Sequence, residues 1–365
     1  MYNGCKTTIK TNNDIGVEIE ILRGVKQGDP LSPLLFSLCL EPLLEIIDKN
    51  TGGININEAN KVSVLAFADD IVLRGGDERE AQRQMDELHK YFERLGMSIS
   101  AQKSQTFQVT AKKDTWFIQD PAIKVNEVRI PGVHPDQAFR YLGAKVGPWK
   151  SVHCGIIVPE ILSMVRRVRK LPLKPCQNIE LLTKYIFPRY TYNLLINPPS
   201  DSVLKLLDSE VRQEIKAILH LVPFTDTGLF YAPKNYSGLG LPRFEHIIKL
   251  GTLRSALKIR NSTDPAAASL IGDDEERKLK KIANSLRINW PANLDDIGKA
   301  QRRLKGQHIR DWSELKSQGQ GVPDFAREKV GNVWLREYHL LKPFRFIDAL
   351  RMRTNTFGTR TTKNH

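Results

Sequence analysis

The chain of 365 residues is poor in cysteine: Cys5, Cys39, Cys154 and Cys176 stand far apart, with no Cys-x-x-Cys pair and no histidine at zinc-ligand spacing. A disulfide scaffold and a zinc module are thereby excluded, and the thiols read as reduced groups of an intracellular protein. Cys39 falls in an apolar stretch and is expected in the core. Long apolar runs are missing as well. The longest, Leu31 to Ile47, is broken by Pro33, Glu41, Pro42 and Glu45, so it cannot serve as a membrane span. The N-terminus lacks the basic segment, apolar stretch and cleavage site of a secretory signal. Internal repeats and low-complexity tracts are also absent.

Charge is present in quantity, and its distribution says more than its size. The formal net charge is +14, yet residues 1–150 hold 19 Lys and Arg against 20 Asp and Glu, a net of −1, while residues 151–365 hold 36 against 21, a net of +15. A basic surface of that kind suits a polyanion. With no lipidation signal in the chain, nucleic acid is favoured over a membrane surface as its partner.

The chain is organised around Val62 to Leu73, an apolar stretch carrying Asp69 and Asp70 side by side. Residues 62–67 and 71–73 are rich in β-branched and large apolar side chains, and too short for helices. They are expected to form two buried strands with the acids at a tight turn. Two adjacent carboxylates in apolar surroundings repel and lose hydration unless a cation joins them. Mg²⁺ suits such a pair, since it takes one or two carboxylates, several waters and substrate phosphates. The plainer alternative is that both are turn formers, a common use of Asp.

Taken in order, Lys6–Thr11 and Val17–Ile21 alternate around a polar turn and predict a hairpin. Gly24 and Gly28 then permit a loop that opens a helix, with Ser32 as N-cap and Pro33 at the first helical position. Asp77-Glu78-Arg79-Glu80 reads as a variant capping box for a helix bearing Met85, Leu88, Tyr91, Phe92 and Leu95 on one face, closed by Gly96. Met97 and Ile99, then Phe107 and Val109, return to strand. From Gly147 onward helical periods take over: Val203, Leu207, Val211, Ile215 and Ile218 share a face capped by Asp201 or Ser202. Asn261–Glu276 reads as a linker. Beyond it, Trp290, Trp312, Trp334 and Tyr338 stand among Lys and Arg, where they could stack bases or pack a core.

Phe67-Ala68-Asp69-Asp70 resembles the metal-binding hairpin, motif C, of reverse transcriptases. Upstream, Arg23-Gly24-Val25-Lys26-Gln27-Gly28-Asp29-Pro30-Leu31-Ser32-Pro33-Leu34-Leu35-Phe36 is similar to motif B of that family. Downstream, Gly96 to Ser104 resembles motif D, and Tyr141-Leu142-Gly143 resembles motif E, the primer grip. Trp312–Val322 and Leu350–Asn355 resemble the region after the thumb in non-LTR retrotransposon proteins that insert into ribosomal RNA genes.

The resemblance implies an α+β fold: a partial palm of antiparallel sheet with packing helices (residues 1–147), a helical thumb (148–260) and a basic helical linker region (261–365). It implies an RNA-directed DNA polymerase using Mg²⁺, template RNA, a DNA primer or target DNA and deoxynucleotides, acting in the nucleus by target-primed reverse transcription. Asp69 and Asp70 would be catalytic metal ligands and Lys103 the acid for departing pyrophosphate. Gln27, Gly28, Phe67 and Ala68 would contact template and nucleotide. Leu142 and Gly143 would form the primer grip, and Arg166, Arg167, Arg169, Lys170 and Lys174 would contact nucleic-acid backbone. The family's first catalytic aspartate, in motif A, is expected upstream of motif B, and the sequence offers no counterpart. The alternative to a polymerase segment is therefore a catalytically incomplete RNA/DNA-binding protein derived from one.

Overall fold

The computed structural model describes residues 4–11, 15–21, 24–149, 151–152, 157–327 and 330–357. The chain folds as two compact units, Met1–Leu142 and Gly143–His365.

The first unit mixes helices with small antiparallel sheets. Its strands are β1 (Lys6–Lys10), β2 (Ile15–Glu20), β3 (Ile54–Asn55), β4 (Lys61–Val62), β5 (Val64–Phe67), β6 (Asp70–Leu73), β7 (Gln108–Lys112), β8 (Thr115–Gln119), β9 (Lys124–Val125), β10 (Val128–Arg129) and β11 (Phe139–Tyr141). Strands β1 and β2 pair as the alternation predicts, as do β3 with β4, β5 with β6, β7 with β8 and β9 with β10. Two helices carry the packing, α1 (Ser32–Asn50) and α2 (Glu78–Arg94). Leu43, Ile47 and Leu88 form a small core on which Val64, Ile71 and Leu73 of the β5–β6 hairpin rest. Ala101, Ile123, Val125 and Ile130 form a second. Met85 and Ile99 pack against both.

Helix α2 starts and stops for local reasons. The Asp77 side chain accepts from the Glu80 N–H at 2.7 Å, and Gly96 at φ +68° closes the helix as Met97 N–H reaches Phe92 O at 2.8 Å. The Glu80 carboxylate turns elsewhere, so the capping box is only half made. Residues 97–100, expected as a strand, have no regular structure, although Ile99 is packed. Helix α1 begins at Ser32, one residue earlier than expected, because the Ser32 hydroxyl donates to Lys26 O at 2.6 Å instead of capping. Cys39 is exposed, not buried: it stands one turn before Leu43, at the edge of the face of α1 that buries Leu40, Leu43 and Ile47.

The second unit holds two short strands, β12 (Ala144–Gly147) and β13 (Ser151–Val152), and is otherwise helical among its described residues. Its helices are α3 (Ile157–Arg169), α4 (Pro175–Leu181), α5 (Phe187–Ile196), α6 (Asp201–Ile218), α7 (Thr227–Tyr231), α8 (Phe244–Arg260), α9 (Pro265–Ala268), α10 (Asp273–Ser285), α11 (Leu294–Ser313), α12 (Val322–Arg327) and α13 (Pro343–Arg353). A π-helical turn, Leu182–Ile186, joins α4 to α5. One apolar core runs from Ile157 to Leu350 and takes in Trp312, Val322, Leu335 and Phe346. A second joins α8, α10 and α11 through Leu253, Leu279 and Ile297. Residues 261–276, expected as a linker, contain α9 and the first turn of α10, held because α10 buries Leu279 and Ala283 against α8. Helix α6 is preceded by Ser200 as N-cap and buries Leu204, not Val203, beside Leu207, Val211, Ile215 and Ile218. The three tryptophans set among cations serve packing: Trp312 is fully buried, Trp334 stacks edge-on against Phe346, and Trp290 Nε1 donates to Glu276 at 2.8 Å. The Tyr338 side chain lies outside the described residues. No described helix is long and apolar enough to cross a membrane.

Candidate active-site hairpin and basic helices

The β5–β6 ladder pairs Val64 with Leu73, Leu65 with Val72, Ala66 with Ile71 and Phe67 with Asp70, leaving Ala68-Asp69 as a two-residue turn. Ala68 stands at φ +53° while Asp69 stays at negative φ, the pattern of a II′-type turn with alanine where glycine is usual. That conformation is strained for an L-residue and persists only where its surroundings hold it. Asp70 shares its face of the ladder with Phe67, Val72 and Leu65, opposite the face resting on α1 and α2. This outer face is open, with Phe67 66% and Leu65 45% exposed. The strands are thus half-buried at most, since two strands cover only the side that meets the helices.

Asp69 and Asp70 are both exposed, and neither has an ion-pair partner among the described residues. No group of three His, Cys, Asp or Glu placed to hold a metal occurs among the described residues. Two adjacent unpaired carboxylates on a braced turn do match the donor set of Mg²⁺, which completes its shell with water and phosphate oxygens.

The brace is one that sequence reasoning missed. The buried Glu80 carboxylate accepts backbone N–H groups of Gly52, of Gly53 at 3.2 Å and of Gly76 at 2.6 Å, tying the segments on both sides of β3–β6 to α2. Burial pushes its pKa up, but these three donors outweigh it and hold the carboxyl below its ordinary value. Gly53, at φ +61°, leaves no room for a side chain: a Cβ would lie 2.7 Å from Val62 O. Gln84 adds bonds to Thr51 Oγ1 (3.0 Å) and Arg74 O (3.2 Å), and the Ser63 hydroxyl donates to Asp48. Tyr141, too, belongs with the hairpin. Its phenol is raised above the usual value by burial and by the negative charge of Asp70.

The other expected site residues fall as follows. Gln27 and Gly28 occupy the centre of an exposed turn closed by Asp29 N–H to Lys26 O at 3.2 Å, with Gly28 at φ +90°. The Asp29 side chain accepts from Leu31 N–H at 2.9 Å, so Asp29 shapes the entry to α1. Arg23 lies outside the described residues. Lys103 is exposed on a turn after Ser100. Leu142 (φ +46°) and Gly143 (φ +82°) form a tight turn. Of the basic group, Arg166 Nε reaches Glu214 at 3.0 Å and Arg169 reaches the same carboxylate at 2.9 Å, both across to α6. Arg167 and Lys170 have no acidic partner among the described residues, and the Lys174 N–H binds the Gln177 side chain as α4 begins.

Residues 3–146 match the family described as "Reverse transcriptase (RNA-dependent DNA polymerase)". Residues 3–146 belong to the reverse transcriptases. The chain as a whole is similar to R2 retrotransposon proteins, so this reverse-transcriptase region is of the non-LTR type. The chain is 28% identical over 93% of its length to a "Retrovirus-related Pol polyprotein from type-1 retrotransposable element R2" of Nasonia vitripennis. A protein of the same description from Popillia japonica is 34% identical over 69% of the chain. The Pol polyprotein of retrotransposable element R2DM from Drosophila melanogaster is 25% identical over 99%. The chain spans about a third of the length of these relatives: 33%, 35% and 33%. Members of the reverse-transcriptase family use divalent metal ions, nucleic-acid templates and nucleotides.

Proposed function

We propose that this chain supplies the Mg²⁺-binding hairpin and nucleic-acid-binding helices of an RNA-directed DNA polymerase that copies a retrotransposon RNA from a DNA primer at its target. The observation that carries the reading is the strained Ala68-Asp69 turn, which presents Asp69 and Asp70 unpaired on a brace of buried polar contacts. In this reading residues 1–147 are part of a palm, 148–260 a thumb and 261–365 a basic extension, and the protein works in the nucleus.

Bound at Asp69 and Asp70, Mg²⁺ would supply the Lewis acidity that lowers the barrier at the attacked phosphate. The chain's own residues do the positioning. Gln27 and Gly28 present an exposed turn to template and nucleotide, with Phe67 and Ala68 beside the acids. Leu142 and Gly143 offer a turn to the primer strand. Lys103 is an exposed cation able to give a proton to the departing pyrophosphate. Arg166, Arg167, Arg169, Lys170 and Lys174 supply sequence-independent attraction to the strand.

A protein spanning the full length of the relatives extends a DNA primer on an RNA template with Mg²⁺, and Asp69→Asn or Asp70→Asn abolishes this. Extension that survives both changes overturns the proposal. A second reading applies to the isolated chain. Its hairpin gathers two carboxylates and no third ligand among the described residues, so the chain alone binds RNA or RNA/DNA duplex without extending a primer. Primer extension by the purified chain that Asp69→Asn removes would refute that.

A further inference from the structure

The second unit contains an open groove of about 470 Å³ between the α3–α4 corner and the end of α6, a volume in the range of small-molecule sites. Leu171, Leu173 and Ile218 give it apolar walls, and Arg169 and Asn178 are also in its lining. Asn178 is only 5% exposed, and its Oδ1 has no hydrogen-bond partner. A buried amide oxygen left without a donor is costly, which makes a ligand N–H in the groove favourable. The walls are held in place by backbone bonds, Leu171 N–H to Val168 O at 3.0 Å and Leu173 N–H to Leu171 O at 2.8 Å. At the far side Arg351 grips the His220 carbonyl with two donors at 3.2 and 2.6 Å. Lys170 directly precedes Leu171 and Lys174 directly follows Leu173, so cations flank the apolar lip along the chain.

Apolar walls, one unpaired acceptor and flanking cations are together the chemistry of a nucleotide within a strand. We propose that this groove takes the base of one unpaired nucleotide of a bound single strand. Leu171, Leu173 and Ile218 lie against the ring, Asn178 Oδ1 accepts from a base N–H, and Lys170 and Lys174 face the adjoining phosphates. Every base carries an N–H on its pairing edge, so the groove distinguishes a base from no base, not one base from another. The inference rests on the reading that the second unit binds nucleic acid.

The test compares binding of the full chain to a fluorescein-labelled single-stranded RNA and to an abasic strand with the same number of phosphates. The wild type binds the base-bearing strand about tenfold more tightly, as one well-held base allows. Asn178→Leu, which removes the acceptor, and Ala217→Trp, which fills the groove from its lining, each shrink this preference to under about threefold. Both leave affinity for the abasic strand, its salt dependence and the melting temperature unchanged. Variants that melt normally and keep the tenfold preference overturn the groove while leaving nucleic-acid binding standing, as does a wild type that binds both strands equally. A wild type that binds neither strand overturns both readings.

Discussion

Replacing Glu80 by alanine should loosen the acid-bearing hairpin while leaving the second unit unchanged. The side chain accepts three backbone N–H groups from Gly52, Gly53 and Gly76, and it is buried. A hydrogen bond to a charged group contributes about 1.5–3 kcal/mol, but bonds sharing one carboxylate do not add fully, so about 3 kcal/mol is expected for the set. At ~1.4 kcal/mol per tenfold, amides of residues 51–76 should exchange with deuterium about a hundredfold faster, and peptides from 157–250 should not change. Glu80→Gln keeps an acceptor and loses the charge, so about tenfold is expected. The pH dependence follows from the lowered pKa. Stability from Glu80 is complete above the unfolded value, about 4.3, and is lost as pH falls through the lower folded value. Unchanged exchange at residues 51–76 in Glu80→Ala would refute the claim that this carboxylate braces the hairpin.

Ala68→Gly relieves an alanine at φ +53° and should slow exchange at the hairpin amides, corresponding to about 0.5–1 kcal/mol, whereas Ala68→Val should speed it. Arg167→Ala with Lys170→Ala removes two cations that lack an acidic partner among the described residues. If both touch phosphate, the slope of log affinity against log salt should fall in magnitude by about 1–2 units, measured by RNA titration at several salt concentrations. His246 and His308 stack at 5.2 Å, and burial first, then the Arg243 charge, depress both to about 4. Their depressed values mean stability is complete above the unfolded value near 6.5 and is lost as pH falls toward 4, so His308→Phe should flatten the acid limb of a thermal melt between those limits. Asp208 goes the other way: burial raises it to about 6 against the Phe244 and Glu245 N–H donors and the Arg243 charge. Its stabilising protonation is complete below the unfolded value near 3.9 and lost as pH rises through 6, so the stability gap between wild type and Asp208→Asn should change across that window.

What the sequence made legible was local. The α2 helix follows from Asp77, a 3.6-residue apolar period and Gly96, all within twenty residues of one another. The Asp hairpin follows from two short apolar runs with a three-residue gap, which the ladder narrows to a two-residue turn, although the apolar runs that announced strands said nothing of how many faces would be covered. Glu80 shows the limit: it looked like half of a capping box, yet its carboxylate spans 28 residues of chain to reach Gly52. The same holds for Arg166 and Arg169, which read as free cations until α6 brings Glu214, 48 and 45 residues away, against them. Tryptophans among cations fit a stacking platform and a core equally well in one dimension, and only the closure of α11 and α13 onto α3–α8 decides for the core.

These non-local contacts change how the basic group should be weighed. Arg166 and Arg169 both engage Glu214, whose side chain is 13% exposed, so each already has a partner that a phosphate would have to displace or share. Removing either cation leaves a largely buried carboxylate short of charge and perturbs the α3–α6 packing, so lost RNA affinity in those variants would not by itself report a phosphate contact. Arg167 and Lys170 carry no such debt to α6. A salt slope that falls for Arg167→Ala and Lys170→Ala but stays level for Arg166→Lys, which keeps the charge facing Glu214, separates phosphate binding from helix packing along the same short stretch of chain.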